Sequence, residues 1–507
     1  MASERPEMKD GEDQEEEVAV AVVEPRRRAL FDRHTAKQVA AALAFSQTHS
    51  VIGAAVAFIS VFIIQESQTE NGHLSVGEVT WVVSGLPIGL VAGNLLSTVL
   101  TPILGYRRLV QLAAPVSICS WLTLALSFRF PLLLVARVVL GVALGVTDGP
   151  VRAYISEVTS ERLRGPLGML PHICITINML AVYGVSSQTS WRNAVLFCGI
   201  APSVPQFLAT LLLPDAAKWL LAHGYPAEDA RKSILFFRGH PETADLEVKA
   251  ILSSLKGDVS SRSPVLVRMR AVLTQSRHRR PFLLLLVQLF LFVFNSGEAI
   301  ANFTTVIFAA ATSDSNPYYS TIWVVLARLL GFFLSAWLIE RIGRVRLLQA
   351  SAGVQMLGSV LVGFFFYYRS SLAAHGWLVL VGALIIFFTY GVGIAPVTWV
   401  YFSELTASAV RSVSLNVLLV CFGLMMFSFV HSYVWLESVL GIHGVFWALS
   451  VLSVVQIVFA QIWLPETRGL TLEQIQSRYF EGAQDESDNE SEKAHEMHRE
   501  PAQQNAV

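Results

Sequence analysis

The chain has 507 residues, of which 53% are hydrophobic and 15% are charged, and its net charge is −1. A soluble domain of this length would carry more charge, so the composition argues against a soluble protein and indicates one with several membrane-spanning segments. The basic residues are spread among short loops and form no single patch, which argues against a nucleic-acid partner.

The chain begins with a polar segment, first acidic and then basic, that has no apolar signal-peptide core. We predict that 1–37 is a disordered cytoplasmic segment. Six apolar runs follow over 38–213, and each can cross a hydrocarbon core of about 30 Å. These predicted helices are 38–64, 78–100, 107–128, 130–153, 165–186 and 191–213.

A polar stretch over 214–280 separates this first bundle from a second one over 281–464, and it is predicted to be a largely helical cytoplasmic linker. The predicted helices of the second bundle are 281–310, 318–342, 345–368, 376–403, 410–435 and 441–464. The segment 465–507 is predicted to be a cytoplasmic tail, because it is charged and low in apolar residues. The fold class is therefore an all-α membrane protein with twelve transmembrane helices in a 6+6 arrangement.

Lysine and arginine predict the orientation of these helices. They concentrate in alternate loops, and those loops contain Arg107, Arg108, Arg162, Arg164, the 214–280 segment, Arg341, Arg344, Arg346 and Arg411. The opposite loops contain few, chiefly Arg129, Arg192 and Arg369. By the positive-inside rule, both termini and the linker are predicted to be cytoplasmic.

The two predicted bundles share a local signal between their second and third helices. "GYRR" (105–108) stands there in the first bundle and "ERIGRVR" (340–346) in the second. A short turn with glycine and cationic residues at the same place in each half indicates a duplicated unit. Transporters built in this way bind their substrate near the midplane, between repeats that rock around the site.

Four motifs now resemble the sugar porter family of the major facilitator superfamily, in a layout like that of facilitative glucose transporters and arthropod facilitated trehalose transporters. They are "ARVVLGVALGVTDGPVRAYISEVTSERLRG" (136–165), "PDAAKWLL" after helix 6, "PVTWVYFSEL" in helix 10 and "LPETRGLTLEQI" after helix 12. They occur in the family's order and at its spacing over 136–475. The resemblance implies a transporter that works by alternating access.

The resemblance also implies a set of charged residues at the cytoplasmic ends of the helices. In the family, such charges latch the two halves together on the inside when the cavity opens outward. Semi-exposed ion pairs suit this role, because they contribute modestly to stability and break reversibly. The residues at matching positions are Glu157, Arg164, Glu340, Arg344, Glu404, Arg411 and Glu466.

A sugar site needs polar partners for hydroxyl groups that lose their water, and the family supplies amides for this purpose. At the corresponding positions this chain retains Trp399 and Ser296 but has His172, Glu298 and Arg328, and we predict that these five residues line the substrate site. Several further amide positions hold residues without an amide: Phe290, Val293, Phe294, Ala299 and Phe422; Gly423 stands at the position of the family's helix 11 tryptophan.

Glu298 and Arg328 are predicted at matching depth on helices 7 and 8, and charges inside a membrane usually pair or face a watery cavity. Three interpretations are open: a structural pair, an anion or zwitterion site at Arg328, and proton coupling through Glu298, with or without His172. Asp148 is placed to pair with Arg152 one helical turn later.

The predicted function is transport of a small solute by facilitated diffusion. The family resemblance implies that this solute is a hexose or trehalose. The alternatives are an organic anion or zwitterion carrier using Arg328, a proton-coupled symporter using Glu298 and, least favoured, a membrane sensor. The chain has no catalytic motif and its four cysteines have no metal-ligand spacing, so we expect neither an enzyme nor a cofactor. We expect a monomer in the lipid bilayer of the plasma membrane.

Overall fold

The computed structural model describes residues 33–67, 74–257, 265–295, 297–311, 316–406, 410–470, 474–475 and 477–481. Every regular element in these ranges is a helix. Ten of the helices described are long and apolar enough to cross a membrane, and two of them, with 51 and 50 residues, have the length for two crossings each. The twelve-helix prediction is therefore confirmed.

We name the twelve crossings α1 to α12 in chain order. The first six are α1 (Arg33–Ser67), α2 and α3 (the two arms of Val76–Leu126, which meet at Gly105), α4 (Phe130–Val158), α5 (Leu170–Ser186) and α6 (Trp191–Leu212). The next six are α7 (Ser276–Asn295, continued by Gly297–Ala301 and Thr304–Ala311), α8 (Pro317–Ile342), α9 (Arg344–Tyr367), α10 (Trp377–Glu404), and α11 and α12 (the two arms of Arg411–Ile462, which meet at Gly441).

Four helices fill most of the segment between α6 and α7: Ala217–Ala222, Ala227–Arg238, Pro241–Gly257 and Val265–Thr274. They lie at one end of the bundle, which we call the linker end. Gln38 near the start of α1 donates a hydrogen bond from Nε2 to the carbonyl oxygen of Phe237 at 3.0 Å. Because α1 begins at this end, its last residues lie at the opposite end, which we call the far end.

Each half has the same tyrosine-to-proline hydrogen bond at the linker end. In the first half, the Tyr154 hydroxyl of α4 donates to the carbonyl oxygen of Pro214 after α6, at 2.8 Å. In the second half, the Tyr401 hydroxyl of α10 donates to the carbonyl oxygen of Pro465 after α12, at 3.1 Å. Matching tyrosines and prolines in matching elements support the duplicated unit inferred from the sequence.

A glycine turn also recurs at the linker end of each half. Gly105 (φ 81°) separates α2 from α3, and Gly343 (φ 95°) separates α8 from α9. Side chains cover both turns: the Trp219 ring lies within 3.0–3.2 Å of where a Gly105 Cβ would stand, and the Glu466 carboxylate covers Gly343. Positive φ and a covered Cβ position together explain why each turn needs glycine.

Replacing Gly343 with alanine is expected to destabilise the protein. Its φ of 95° and ψ of 165° fall in a region that is essentially restricted to glycine, at a cost of about 1–3 kcal/mol for other residues. The new Cβ would also stand 2.6 Å from Glu466 Oε2. Thermal unfolding of detergent-purified protein should show a lower midpoint for Gly343→Ala. Gly353→Ala in the body of α9 is the control, because its Cβ would meet only Ile457 Cδ1 at 3.8 Å. Equal midpoints for the two variants would contradict this account of the turn.

Helices α2 and α4 cross at two facing pairs of glycine. Gly89 and Gly93 on α2 lie against Gly141 and Gly145 on α4, so that backbone meets backbone without side chains between them. Small residues four apart allow such close helix contact in membranes, where packing must replace the hydrophobic effect. In the second half, Gly331 of α8 and Gly391 of α10 make the equivalent contact.

The second bundle departs from the predicted continuous helix over 281–310. Two turn residues, Asn302 and Phe303, separate the short helix Gly297–Ala301 from the helix Thr304–Ala311 within this crossing. Gln355 of α9 donates from Nε2 to the Asn295 carbonyl oxygen at 2.6 Å, while Gln456 and Ser453 of α12 bind the Asn295 side chain. These hydrogen bonds hold α7 against α9 and α12 about two helical turns before the interruption. Hydropathy could not reveal this break, because the residues on both sides of it are apolar.

Candidate functional site

The two halves meet at the far end through neutral polar side chains. Gln65 of α1 donates to the Tyr318 hydroxyl of α8 at 3.1 Å, and Thr305 of α7 donates to Ser60 of α1 at 3.3 Å. The Tyr183 hydroxyl of α5 lies 3.4 Å from the carbonyl oxygen of Ala301. Direct hydrogen bonds between α1, α5, α7 and α8 therefore close this end of the bundle.

A second group of contacts joins the halves between the middle of the bundle and the linker end. The His172 ring of α5 lies 5.4 Å from the Trp399 ring of α10 and 5.8 Å from the Phe332 ring of α8, centroid to centroid. The Arg152 guanidinium of α4 lies 4.1 Å from the centre of the Trp399 ring. His172 and Trp399, both predicted from the sequence, are thus brought together, and Arg152 joins them.

Arg152 is held by two further residues of the first half. Its Nε donates to Asp148 Oδ1 at 3.1 Å, and the same oxygen lies 3.0 Å from His49 Nε2 of α1. The His49 side chain is fully buried, whereas that of Arg152 is 26% exposed. Asp148 therefore fixes the Nε edge of the Arg152 guanidinium. A buried ionic group of this kind is stable only when its charges are compensated, as the pairing here achieves.

Arg328 lies on the wall of the second half and is 1% exposed. Its guanidinium lies 4.6 Å from the centre of the Tyr390 ring and 5.7 Å from that of Phe332, and Nη1 lies 3.9 Å from the Met179 sulfur of α5. The side chain of Glu298 lies outside the described part of the chain, as does Ser296. Pairing of Arg328 with Glu298 therefore stays a prediction.

Aromatic side chains surround this region, and one of them, Phe422, stands where the resemblance implies an amide. Phe292 of α7 packs against Tyr390, Trp399 and Phe422, with ring centroids 5.9–6.3 Å apart. A buried amide does remain one turn along α7, because Gln288 Nε2 donates to Thr398 Oγ1 of α10 at 2.8 Å. On the α7 and α10 side, the region therefore offers aromatic rings against which a solute can stack. On the α4 and α5 side, it offers the polar and charged groups of Asp148, Arg152 and His172.

Several polar atoms in this region have no hydrogen-bond partner within the described ranges. They are His172 Nε2, His49 Nδ1 and Trp399 Nε1, all of which are buried. A buried polar atom without a partner costs free energy, so such atoms mark a place where a ligand or water supplies the missing contact. His172 Nε2 and Trp399 Nε1 belong to side chains that touch across the interface of the halves, which makes this interface the candidate site.

The predicted latch residues lie at the linker end, and the hydrogen bonds described for their side chains stay within each half. In the first half, the Tyr106 hydroxyl donates to Glu157 Oε1 at 3.0 Å, and Arg164 donates from Nε to the Ser156 carbonyl oxygen at 3.1 Å. In the second half, Arg411 donates to the Thr406 carbonyl oxygen.

The other four latch residues form one cluster in the second half. Arg344 donates to Glu340 Oε1 at 3.0 Å and to Glu404 Oε1 at 3.1 Å. Glu466 accepts the backbone N–H of Arg344 at 2.9 Å and that of Val345 at 3.1 Å, which caps the start of α9. Their role in closing the two halves against each other stays a prediction.

Sequence reasoning did not place His49 and Arg152 in the site. An isolated histidine in an apolar helix indicates nothing by itself, and its partner Asp148 lies 99 residues away. The i,i+4 spacing of Asp148 and Arg152 predicted their pairing, but nothing in the spacing indicates that Arg152 reaches Trp399 on α10.

Comparison with known proteins extends these findings. The family model described as "Sugar (and other) transporter" matches residues 38–479. The chain is 26% identical over 447 residues to the facilitated trehalose transporter Tret1 of Apis mellifera ligustica, covering 87% of this chain and 88% of that protein. It is 28% identical over 455 residues to a Tret1-2 homolog of Drosophila simulans, covering 88% of this chain and 91% of that protein.

Solved structures show the same fold. A partially occluded inward open conformation of the xylose transporter XylE from E. coli has a TM-score of 0.71 and 18% identity, covering 86% of this chain and all of that one. The proton:xylose symporter XylE bound to 6-bromo-6-deoxy-D-glucose has a TM-score of 0.66 and 20% identity, covering 88% and 98% of the two chains.

Proposed function

This chain belongs to the sugar (and other) transporter family, and from the contacts between its halves we propose that it carries a sugar-sized, polyhydroxylated solute across the membrane at the His172–Trp399 interface. It is a multi-pass membrane transporter of the sugar-transporter type and not an enzyme. A hexose or a disaccharide such as trehalose is the size of solute that its relatives' names suggest.

One observation carries this proposal: His172 and Trp399 touch across the two halves and each presents a buried nitrogen without a partner in the ranges the structure covers. A solute bound there contacts α5 and α10 together, so its binding energy can bias the relative position of the halves. Alternating access requires such a differential interaction. The closed far end supports a state in which the site communicates with the linker end.

We place the linker end on the cytoplasmic side, because the arginine-rich loops lie there. Both termini are then cytoplasmic, and the plasma membrane is the proposed location. We propose that one chain forms the complete transport unit, since both walls of the site come from the same chain.

Replacing Trp399 with alanine is expected to lower solute uptake into proteoliposomes by about tenfold or more, since removing one well-packed aromatic anchor commonly costs over 1.4 kcal/mol. Uptake of labelled glucose and trehalose measures this effect. Trp377→Ala is the matched control, because Trp377 is exposed at the start of α10. Equal uptake by the two variants would contradict a site at Trp399.

The same vesicles test the proton-coupling alternative through Glu298. We expect facilitative transport, in which an imposed pH gradient does not drive accumulation. Accumulation that follows the gradient and disappears in Glu298→Gln would instead support coupling through Glu298.

A further inference from the structure

We propose that the transported solute carries a carboxylate and that Arg152 binds it, so that the substrate is a sugar acid rather than a neutral sugar. This inference rests on the proposed function, because it concerns the same site. It differs from the anion site predicted at Arg328, since Arg152 belongs to α4 of the opposite half.

The first observation is the position of the Arg152 guanidinium. Its Nε donates to Asp148, and its Cζ lies over the Trp399 ring, 4.1 Å from the ring centroid. Among the residues described, none accepts a hydrogen bond from its two terminal amino groups, and the side chain is 26% exposed in the otherwise closely packed region between the halves. A guanidinium stacked on an indole keeps its in-plane N–H groups available, and their fork matches the two oxygens of a carboxylate.

The second observation is the excess of donors around Arg152. The Trp399 indole nitrogen only donates, the arginine only donates, and His172 Nε2 is buried with 4% of the residue exposed. The acceptor beside Arg152, Asp148 Oδ1, already binds both Arg152 and His49. A neutral sugar hydroxyl can accept from these donors, but it also brings an O–H donor of its own that needs an acceptor. A carboxylate brings acceptors alone.

The third observation concerns the rest of the solute. Both hydrogen bonds described for the Asp148 carboxylate use Oδ1, so Oδ2 can accept from a hydroxyl group next to the solute carboxylate. The Trp399 and Phe292 rings offer an apolar surface for the carbon skeleton. A small acid that bears hydroxyl groups on a compact skeleton, such as a hexuronate, satisfies these groups together.

The test compares an acid with its uncharged amide. In proteoliposomes containing the full chain, uptake of labelled glucuronate is measured against unlabelled glucuronate, glucuronamide and glucose at neutral pH, where the carboxyl is ionised. We expect glucuronate to inhibit at a concentration about tenfold or more below that of glucuronamide, since hydrogen bonds to charged groups commonly contribute that much. Arg152→Gln should reduce this preference to within about threefold, and Arg152→Lys should give an intermediate value because it keeps the charge without the fork.

Arg346→Gln is the matched control, because it removes an exposed arginine at the linker end and should leave the preference unchanged. Equal inhibition by acid and amide in the unsubstituted protein overturns the inference, and this comparison needs no variant. An unchanged preference in folded Arg152→Gln also overturns it. Uptake of glucose or trehalose with no response to glucuronate would overturn the sugar-acid inference alone. Absence of uptake of every sugar and sugar acid, in protein that elutes as a single species, would overturn the proposed function.

Discussion

Replacing Gly141 with leucine is expected to abolish the folded protein. A Cβ at Gly141 would stand 2.3 Å from the Leu86 carbonyl oxygen and 2.8 Å from Gly89 Cα, so even alanine cannot fit unless α2 and α4 separate. Overpacking by a small group costs about 1–3 kcal/mol, and leucine adds a whole isobutyl group where none fits. The separation would spread along both helices, because Gly93 and Gly145 make the same close contact one turn further.

The yield of protein that elutes as a single species from size-exclusion chromatography measures this effect. Gly184→Leu is the matched control: it also lies in a membrane helix, but its Cβ would meet no atom within 4 Å. Normal yield for Gly184→Leu together with loss of Gly141→Leu is the expected result. A well-folded Gly141→Leu protein would show that the glycine crossing is not required.

Linking Ser60 to Thr305 by a disulfide is expected to stop transport. Their hydroxyl oxygens are 3.3 Å apart and belong to different halves, so cysteines at both positions are close enough to bridge. A closed bridge would hold the far end shut and prevent the cycle from completing. Uptake by the oxidised double variant should fall about tenfold or more, and a reducing agent should restore it.

Thr305→Cys with Thr321→Cys provides the control, because these hydroxyl groups are 3.1 Å apart within the second half. Its bridge should form equally well yet leave uptake intact, because α7 and α8 belong to the same half. Unimpaired uptake by a fully oxidised Ser60–Thr305 variant would mean that the far end does not open in this way. The four native cysteines are present in both variants, so they do not affect the comparison.

Apolar periodicity and arginine placement were sufficient to predict the twelve crossings, because a bilayer imposes one length and one polarity on every spanning helix. The turns at Gly105 and Gly343 were also recognisable, since glycine followed by cationic residues recurs at the same place in each half. The interruption at Asn302 and Phe303 was not predictable, because the residues on both sides of it are as apolar as those of an unbroken membrane helix.

The candidate site was predicted in part. His172 and Trp399 were identified by resemblance, and they meet in the structure. Arg152 was identified only as a helical partner of Asp148, because the sequence does not indicate that α4 and α10 approach each other at this level. Contacts between the halves depend on the conformation adopted, which sequence patterns within one helix do not encode.

The hydrogen bonds at the far end involve hydroxyl, amide and carbonyl groups, with no ionised side chain among those identified there. Opening that end therefore strips no ion of its counter-charge, and its energetics are largely independent of ionic strength. The glutamates and arginines at the linker end are screened by salt. If the predicted latch forms charge pairs between the halves when the linker end closes, salt would weaken them, so we expect the electrolyte to affect closure of the linker end more than closure of the far end.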